Sequence, residues 1–318
     1  MTLSLRQIVA DLNLSAGALA ALGAALEAQT RGTELEPDIR RHVEDVVAAL
    51  GARAALDNSA PAELQPLLGE IRAFAMMNSQ LLAAATRRAG WAHCEPEMLQ
   101  AAGDVSIAFP RALQRSIASH LPGLADRLAT PGASFLDVGV GVGALSIEMA
   151  RLWPTLRIVG IDRWAPALAL VRGRVQAAGL AQRIALREQT AEELPDVNAF
   201  DLAWIPGAFV SKEATRTLVP RIYRALHPGG WLLFAITCSS DDTLAAAVAR
   251  LRTAMFGGFV TTSETIALLL SRHGFADVQT LSRSPGSPGA VVAARRPDAV
   301  SQTAARTVPG RPLDQRER

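Results

Sequence analysis

Phe135-Leu136-Asp137-Val138-Gly139-Val140-Gly141-Val142-Gly143-Ala144 decides how the rest of the chain is read. Two apolar residues lead into an acid, three glycines alternate with valines, and Leu145 to Ala150 then follows as an amphipathic helix. A strand that stops at glycines and turns straight into a helix brings backbone close to a ligand, because glycine has no Cβ and tolerates positive φ. The first amides of such a helix lack partners within it and point outward at the same spot. The run is the loop of a nucleotide-type cofactor site.

Two kinds of cofactor compete for that loop. Gly139-x-Gly141-x-x-Ala144 satisfies the loose dinucleotide fingerprint, in which a pyrophosphate rests on the helix N-terminus. Asp137 opposes this reading, since a carboxylate at the strand end repels pyrophosphate and suits a ligand with positive charge. The pattern Asp-x-Gly-x-Gly-x-Gly from Asp137 to Gly143 resembles motif I of the class I S-adenosylmethionine-dependent methyltransferases. Their cofactor carries an amino group and a sulfonium but no phosphate.

Later blocks extend the resemblance from about residue 131 to 296. Leu156 to Asp162 is a second apolar strand ending in an acid, which can accept both ribose hydroxyls of a nucleoside. Arg183 to Pro195 is similar to the family's third strand and adenine-contacting loop, commonly Gly-Asp-Ala-Glu-x-Leu-Pro; here Gln189 and Thr190 stand in place of Gly and Asp. Phe200 to Ile205 resembles the fourth strand, and Leu226 to Phe234 the turn and fifth strand. Phe275 to Leu281 and Ala290 to Ala294 would be the sixth and seventh strands, a reversed pair at the sheet edge in this family. The resemblance implies an α/β fold: a doubly wound, mostly parallel seven-stranded sheet, Rossmann-like, behind an all-helical N-terminal domain. It implies S-adenosylmethionine as cofactor, held by Asp137, Gly139, Gly141, Gly143, Asp162, Arg163, Thr190, Ala191, Ile205 and Pro206. Single residues keep plainer roles open: Asp162 as a turn cap, Thr190 as a turn residue, Trp164 as packing.

The composition narrows the class. With 49% hydrophobic and 19% charged residues over 318 positions, the chain can bury a sizeable core and suits two domains. The expected division is 1–125 helical, 126–296 cofactor-binding, and 297–318 a disordered tail rich in Ser, Thr, Gln, Pro and Arg. A net charge of +2 with no dense basic run does not suggest a nucleic-acid groove. Lys212 is the only lysine, the imprint of a GC-rich genome rather than a functional signal. Cys94 and Cys238 stand too far apart in sequence for a disulfide framework or a metal cluster, and point to a reducing, cytoplasmic setting without a metal. No signal peptide is apparent. The Ala-rich run Leu14 to Leu26 falls short of the roughly 20 residues a membrane span needs, and predicts a buried helix.

Apolar spacing predicts helices over Leu3 to Leu12, Ser15 to Gln29, Pro37 to Leu50, Pro61 to Ala89, Glu95 to Gly103 and Pro110 to His120. After the fifth strand it predicts Asp242 to Met255, broken at Phe256 to Phe259, and Thr262 to His273, stopped at Gly274.

Methyl transfer from sulfur is an in-line displacement, so holding the acceptor in place does much of the work, up to roughly 7–11 kcal/mol. A base is needed only where the acceptor must lose a proton. The Asn-Pro-Pro-aromatic signature of many enzymes acting on nucleobase amines and glutamine amides is replaced by Ile205-Pro206-Gly207-Ala208-Phe209. A helical N-terminal unit resembles that of bacterial small-molecule methyltransferases, where it roofs the pocket and supports a homodimer. Pocket candidates are Trp91, His93, Phe109, Phe209, Cys238 and Ser239, with His93 the histidine to test as a general base. His120, His227 and His273 are read as structural. The leading expectation is methyl transfer to a small, largely apolar metabolite through O, C or N. The alternatives are an NAD-dependent oxidoreductase and a non-catalytic S-adenosylmethionine-binding protein.

Overall fold

The computed structural model describes residues 4–83, 89–237, 242–281 and 289–298. Four helices open the chain: α1 (Leu5–Arg31), α2 (Pro37–Ala49), α3 (Arg53–Asp57) and α4 (Pro61–Ala83). They pack around Leu26, Val43, Val47, Leu56, Leu64 and Leu68. α1 is one helix where the spacing predicts two. Ser15 does not cap a new helix; its hydroxyl donates back to the Asp11 carbonyl at 3.0 Å, so the ladder runs on. α1 is also not a buried helix. Only Gly23 and Leu26 are buried, while Leu5, Leu12 and Leu14 are exposed. By length and composition alone α1 is apolar enough to cross a membrane. α4 continues through Pro66 to Ala83; residues 84–88, toward its expected end, lie outside the described part.

α5 (Pro96–Asp104) leads into tight turns over Val105–Ile107, α6 (Ala108–Ala112), a wide turn over Leu113–Ile117 and another tight turn over Ala118–His120. α7 (Leu124–Ala129) follows and is not foreshadowed by the spacing. Leu113, Leu121, Leu124 and Leu128 share the core of the sheet rather than that of α1–α4. The Arg111 guanidinium reaches buried Glu148 at 2.7 Å and ties this stretch to the first helix after the glycine loop.

The strands are β1 (Ser134–Val138), β2 (Arg157–Asp162), β3 (Ile184–Glu188), β4 (Phe200–Pro206), β5 (Leu226–Thr237), β6 (Ala276–Thr280) and β7 (Gly289–Arg295). They form one sheet in the order β3-β2-β1-β4-β5-β7-β6. β1 to β5 are parallel, as near-continuous apolar runs buried on both faces require. Only β7 is reversed: it pairs antiparallel with β5 on one side and β6 on the other, so the edge strand β6 again runs with the rest. Alternation sends Phe135, Leu202 and Leu233 to one face, covered by α8 (Ala144–Leu152) and α9 (Ala165–Ala177). Leu136, Ala203 and Phe234 go to the other, covered by α10 (Lys212–Ala225) and α12 (Ser263–Arg272). α11 (Thr243–Phe256) lies between β5 and α12 in the chain. The sheet order reverses between β1 and β4, and ligands of doubly wound sheets bind in the crevice at that point, beyond the carboxyl ends of the strands.

Candidate functional site

A cavity of about 500 Å³ opens at that reversal. Gly139 and Gly141 adopt φ of 70° and 54° on its wall. A Cβ on Gly139 would touch only Pro206, at 3.4 Å, and one on Gly141 only the Gly139 carbonyl, at 3.9 Å. The protein leaves the space beside both glycines to a ligand. Gly143 is different, and the expectation that it faces the cofactor is corrected. It does not line the cavity, and a Cβ there would come within 2.4 Å of Val171 on α9. Its task is helix packing. The intervening valines are buried and held by two notches: Val140 lies under Gly160 and Val142 under Gly103 of α5, where a Cβ would meet the valine methyls at 2.6 and 2.3 Å.

Two acids stand at the strand ends beside the loop. Asp137 is 2% exposed and accepts a hydrogen bond from the Ser146 hydroxyl at 2.6 Å. Burial pushes its carboxyl up to about 7, against the Ser146 hydrogen bond and helped by the charge of Asp162. Asp162 accepts from the backbone N–H of Gly141 and of Trp164, each at 2.9 Å. Burial raises its carboxyl too, opposed by those amides. The cap expected as the plain alternative is therefore present, and Asp162 also braces the glycine loop. A carboxylate offers about four lone-pair sites. The backbone amides of Gly141, Trp164 and Arg163 draw on three, which leaves room for a ribose hydroxyl. Two acids on this wall fit a ligand with an ammonium and a sulfonium better than a pyrophosphate. Arg163 also lines the cavity.

Beyond β3, Thr190 and Ala191 line the wall. Thr190 is chiefly a turn residue: its backbone N–H and its hydroxyl both donate to Glu193, each at 3.0 Å. Pro206 is on the wall, but Ile205 is not. Strand alternation turns Ile205 into the opposite core, where it is 0% exposed, and presents Trp204 to the cavity instead.

The rest of the wall is aromatic and comes from distant segments. Trp91, Phe209 and Phe256 form a cluster with centroid separations of 5.3, 5.8 and 4.6 Å. Gly258 brings the segment after α11 against the turn after β4, since a Cβ there would strike the Ala208 carbonyl at 2.1 Å. Trp164 fastens the segment before α5: its indole N–H donates to the His93 carbonyl at 2.6 Å. Trp91 and Phe209 both line the cavity. Phe256 and Trp204 are additions from the structure; in sequence Phe256 marks only a helix break.

Two pocket candidates are corrected. His93 is 2% exposed, its ring packs edge-on against Trp91 at 4.5 Å, and it does not line the cavity. It supports the wall rather than facing an acceptor. Phe109 stacks at 4.2 Å behind Trp204 and is likewise off the wall. Cys238 and Ser239 lie outside the described residues, as does the tail from residue 299. Among the described residues no His, Cys, Asp and Glu cluster is suited to a metal.

Residues 135–230 match a family described as "Methyltransferase domain". The demethylmenaquinone methyltransferase of Thermus thermophilus is 33% identical over 98 residues, 31% of this chain and 44% of that one. The chain thus spans about half the length, or less, of the curated relatives it matches first. Two solved structures share the fold across nearly the whole chain. PigF with SAH has a TM-score of 0.61 at 19% identity, covering 92% of this chain and 99% of that one. An O-methyltransferase family protein from Burkholderia thailandensis has a TM-score of 0.53 at 17% identity, covering 94% and 100%. The match places a methyltransferase domain at residues 135–230, and the fold and the order of the strand-end motifs are consistent with a class I S-adenosylmethionine-dependent methyltransferase.

Proposed function

We propose that this chain transfers the methyl group of S-adenosylmethionine to a small, largely apolar metabolite in bacterial secondary metabolism. One observation carries the reading: a single cavity joins a glycine-and-acid half, built from strand ends, to an aromatic half built from Trp91, Trp204, Phe209 and Phe256. Its volume lies within the roughly 300–1,000 Å³ of small-molecule sites. When bound, S-adenosylmethionine supplies an electrophilic methyl on sulfur. In this reading Asp137 holds its amino group, Asp162 its ribose, Gly139 and Gly141 its close approach, with Arg163, Thr190, Ala191 and Pro206 along its length. The aromatic half orients the acceptor and excludes water.

Among the described residues no histidine lines the cavity, which favours an acceptor that needs no strong base: a carbon or nitrogen nucleophile, or an already acidic hydroxyl. The near-neutral charge favours a small molecule over nucleic acid. The Thermus relative is named for demethylmenaquinone and a Deinococcus radiodurans relative for trans-aconitate, both small molecules. In the same reading residues 1–125 form a roofing unit over the domain at 126–296, and the protein works in the cytoplasm. The exposed apolar face of α1, with Leu5, Leu12 and Leu14, pairs two copies.

The test is transfer of labelled methyl from S-adenosylmethionine across a panel of small apolar acceptors. Label in an acceptor, lost in Asp137→Asn, supports the proposal. Tight binding of S-adenosylhomocysteine with no transfer to any acceptor would favour a non-catalytic cofactor-binding protein. A thermal shift with NADH and none with S-adenosylhomocysteine would sink the cofactor assignment.

A further inference from the structure

Trp204 stands where the two halves of the cavity join. In the parallel pairing of β1 with β4 it is the register partner of Asp137. Residues opposite one another on neighbouring strands point to the same face, and such strands lie about 4.8 Å apart. Asp137 and Trp204 both line the cavity, so the indole follows the acid along the wall, on the strand that leads to Phe209. Trp204 is half-buried, whereas Ile205 beside it is sealed. Phe109 packs on the indole at 4.2 Å without lining the cavity itself, and so backs the ring.

The charges on this wall leave one part of the cofactor without a partner. In the reading above Asp137 takes the ammonium and Asp162 the ribose. The remaining acid on the wall, Glu192, follows β3, three strands away from β4. The positive sulfur, a few bonds from the ammonium, therefore meets no carboxylate on the β4 side. A carboxylate there would compete with the acceptor for the methyl. An aromatic face attracts a cation through its quadrupole and is a far weaker nucleophile, and indole has the strongest such face.

We propose that Trp204 distinguishes the charged cofactor from its spent form, with the indole face against the sulfonium. This role rests on the S-adenosylmethionine reading and adds to it a residue picked out by the strand register. On transfer, a lone pair of the acceptor forms the new bond to the methyl carbon. The electron pair of the broken S–C bond stays on sulfur, which becomes a neutral thioether. Trp204 then loses the charge it attracts. It favours the fresh cofactor over the product and does not speed the chemical step, because its attraction fades as the charge leaves sulfur.

The experiment is calorimetry of the full chain, without acceptor, using S-adenosylmethionine and S-adenosylhomocysteine and taking the ratio of the two affinities. Trp204→Leu stays apolar and removes the ring; it is expected to shift the ratio toward S-adenosylhomocysteine by roughly threefold to thirtyfold. Trp204→Met also removes the ring but keeps more bulk against Phe109, and decides the matter if the leucine variant does not fold. Trp204→Phe restores a ring and should recover part of the ratio. Trp91→Leu is the control, the same change within the aromatic cluster, and should leave the ratio as in the wild type. A ratio unchanged in the ringless variants, whether both affinities fall together or neither does, would overturn the inference. An equal shift in Trp91→Leu would do so too. No heat with either ligand in the wild type would bring down the cofactor reading itself, which is a distinct result.

Discussion

The two halves of the cavity are built on different principles. The glycine-and-acid half comes from consecutive strand ends: Asp137 and the glycines close β1, Asp162 closes β2, and Gln189 and Thr190 follow β3. Parallel pairing puts these strand ends side by side. The aromatic half has no such order. Trp91, Phe209 and Phe256 meet because segments over 150 residues apart are drawn together by Gly258 and by the Trp164 hydrogen bond, while Trp204 joins them from β4, beside Asp137 in the sheet. The first half is fixed by topology, the second by packing. Topology tolerates mutation of neighbours better than packing does.

The largest way to sharpen this contrast is at Asp137. Asp137→Asn should lower affinity for S-adenosylhomocysteine by at least about a hundredfold, since it leaves an ammonium without its buried counter-charge. The variant should nevertheless fold. Its pH behaviour is a second test. Burial raises the Asp137 carboxyl in the folded protein to about 7, above its ordinary value of 3.8. The stability this group contributes is therefore fully present below the unfolded value and is lost as pH rises through about 7. The melting temperature of the ligand-free wild type should fall between about pH 4 and 7 more than that of Asp137→Asn, and level off above that. Cofactor affinity should move the other way, rising with pH across the same window, because the ligand's ammonium prefers the ionised acid. A flat affinity profile would break the assignment.

A smaller, opposite pattern is expected from the aromatic half. Trp91→Ala and Phe256→Ala should raise the KM for an identified acceptor on the order of tenfold, with S-adenosylhomocysteine affinity nearly unchanged in calorimetry. Equal losses of both ligands would mean that the two halves are one mechanical unit. The smallest effect belongs to Trp164→Phe. It keeps an aromatic ring and removes one N–H, so stability should drop by about 1 kcal/mol. Hydrogen exchange over residues 89–95 should rise while the glycine loop stays protected.

The same contrast explains how much of the molecule is legible in its sequence. Asp137, Gly139, Gly141 and Asp162 are readable because a strand end announces itself locally, by apolar residues stopping at an acid or a glycine. Gly143 looks identical to its neighbours in sequence; only the position of Val171 distinguishes a packing glycine from a ligand glycine. Ile205 and Trp204 differ by one step of alternation, and the sequence does not say which face of β4 meets the cavity. His93 and Phe109 stand out by chemistry and position, yet each lies one layer behind the wall, against Trp91 and Trp204. Phe256 shows in the sequence only as a helix end, because its partners lie on other segments. α1 misleads for a related reason: alanine-rich sequence looks the same whether its apolar side meets a core or is left exposed.

The tryptophans have a practical consequence. Of the five in the chain, Trp91, Trp164 and Trp204 line the cavity, while Trp153 and Trp231 are sealed in the core of the sheet. Intrinsic fluorescence is thus divided into a constant background and a signal confined to the cleft. Trp164 flanks the glycine loop and Trp91 the aromatic cluster, so single Trp→Phe replacements separate the optical responses of the two halves. The protein is its own sensor, and ligand screening needs no label.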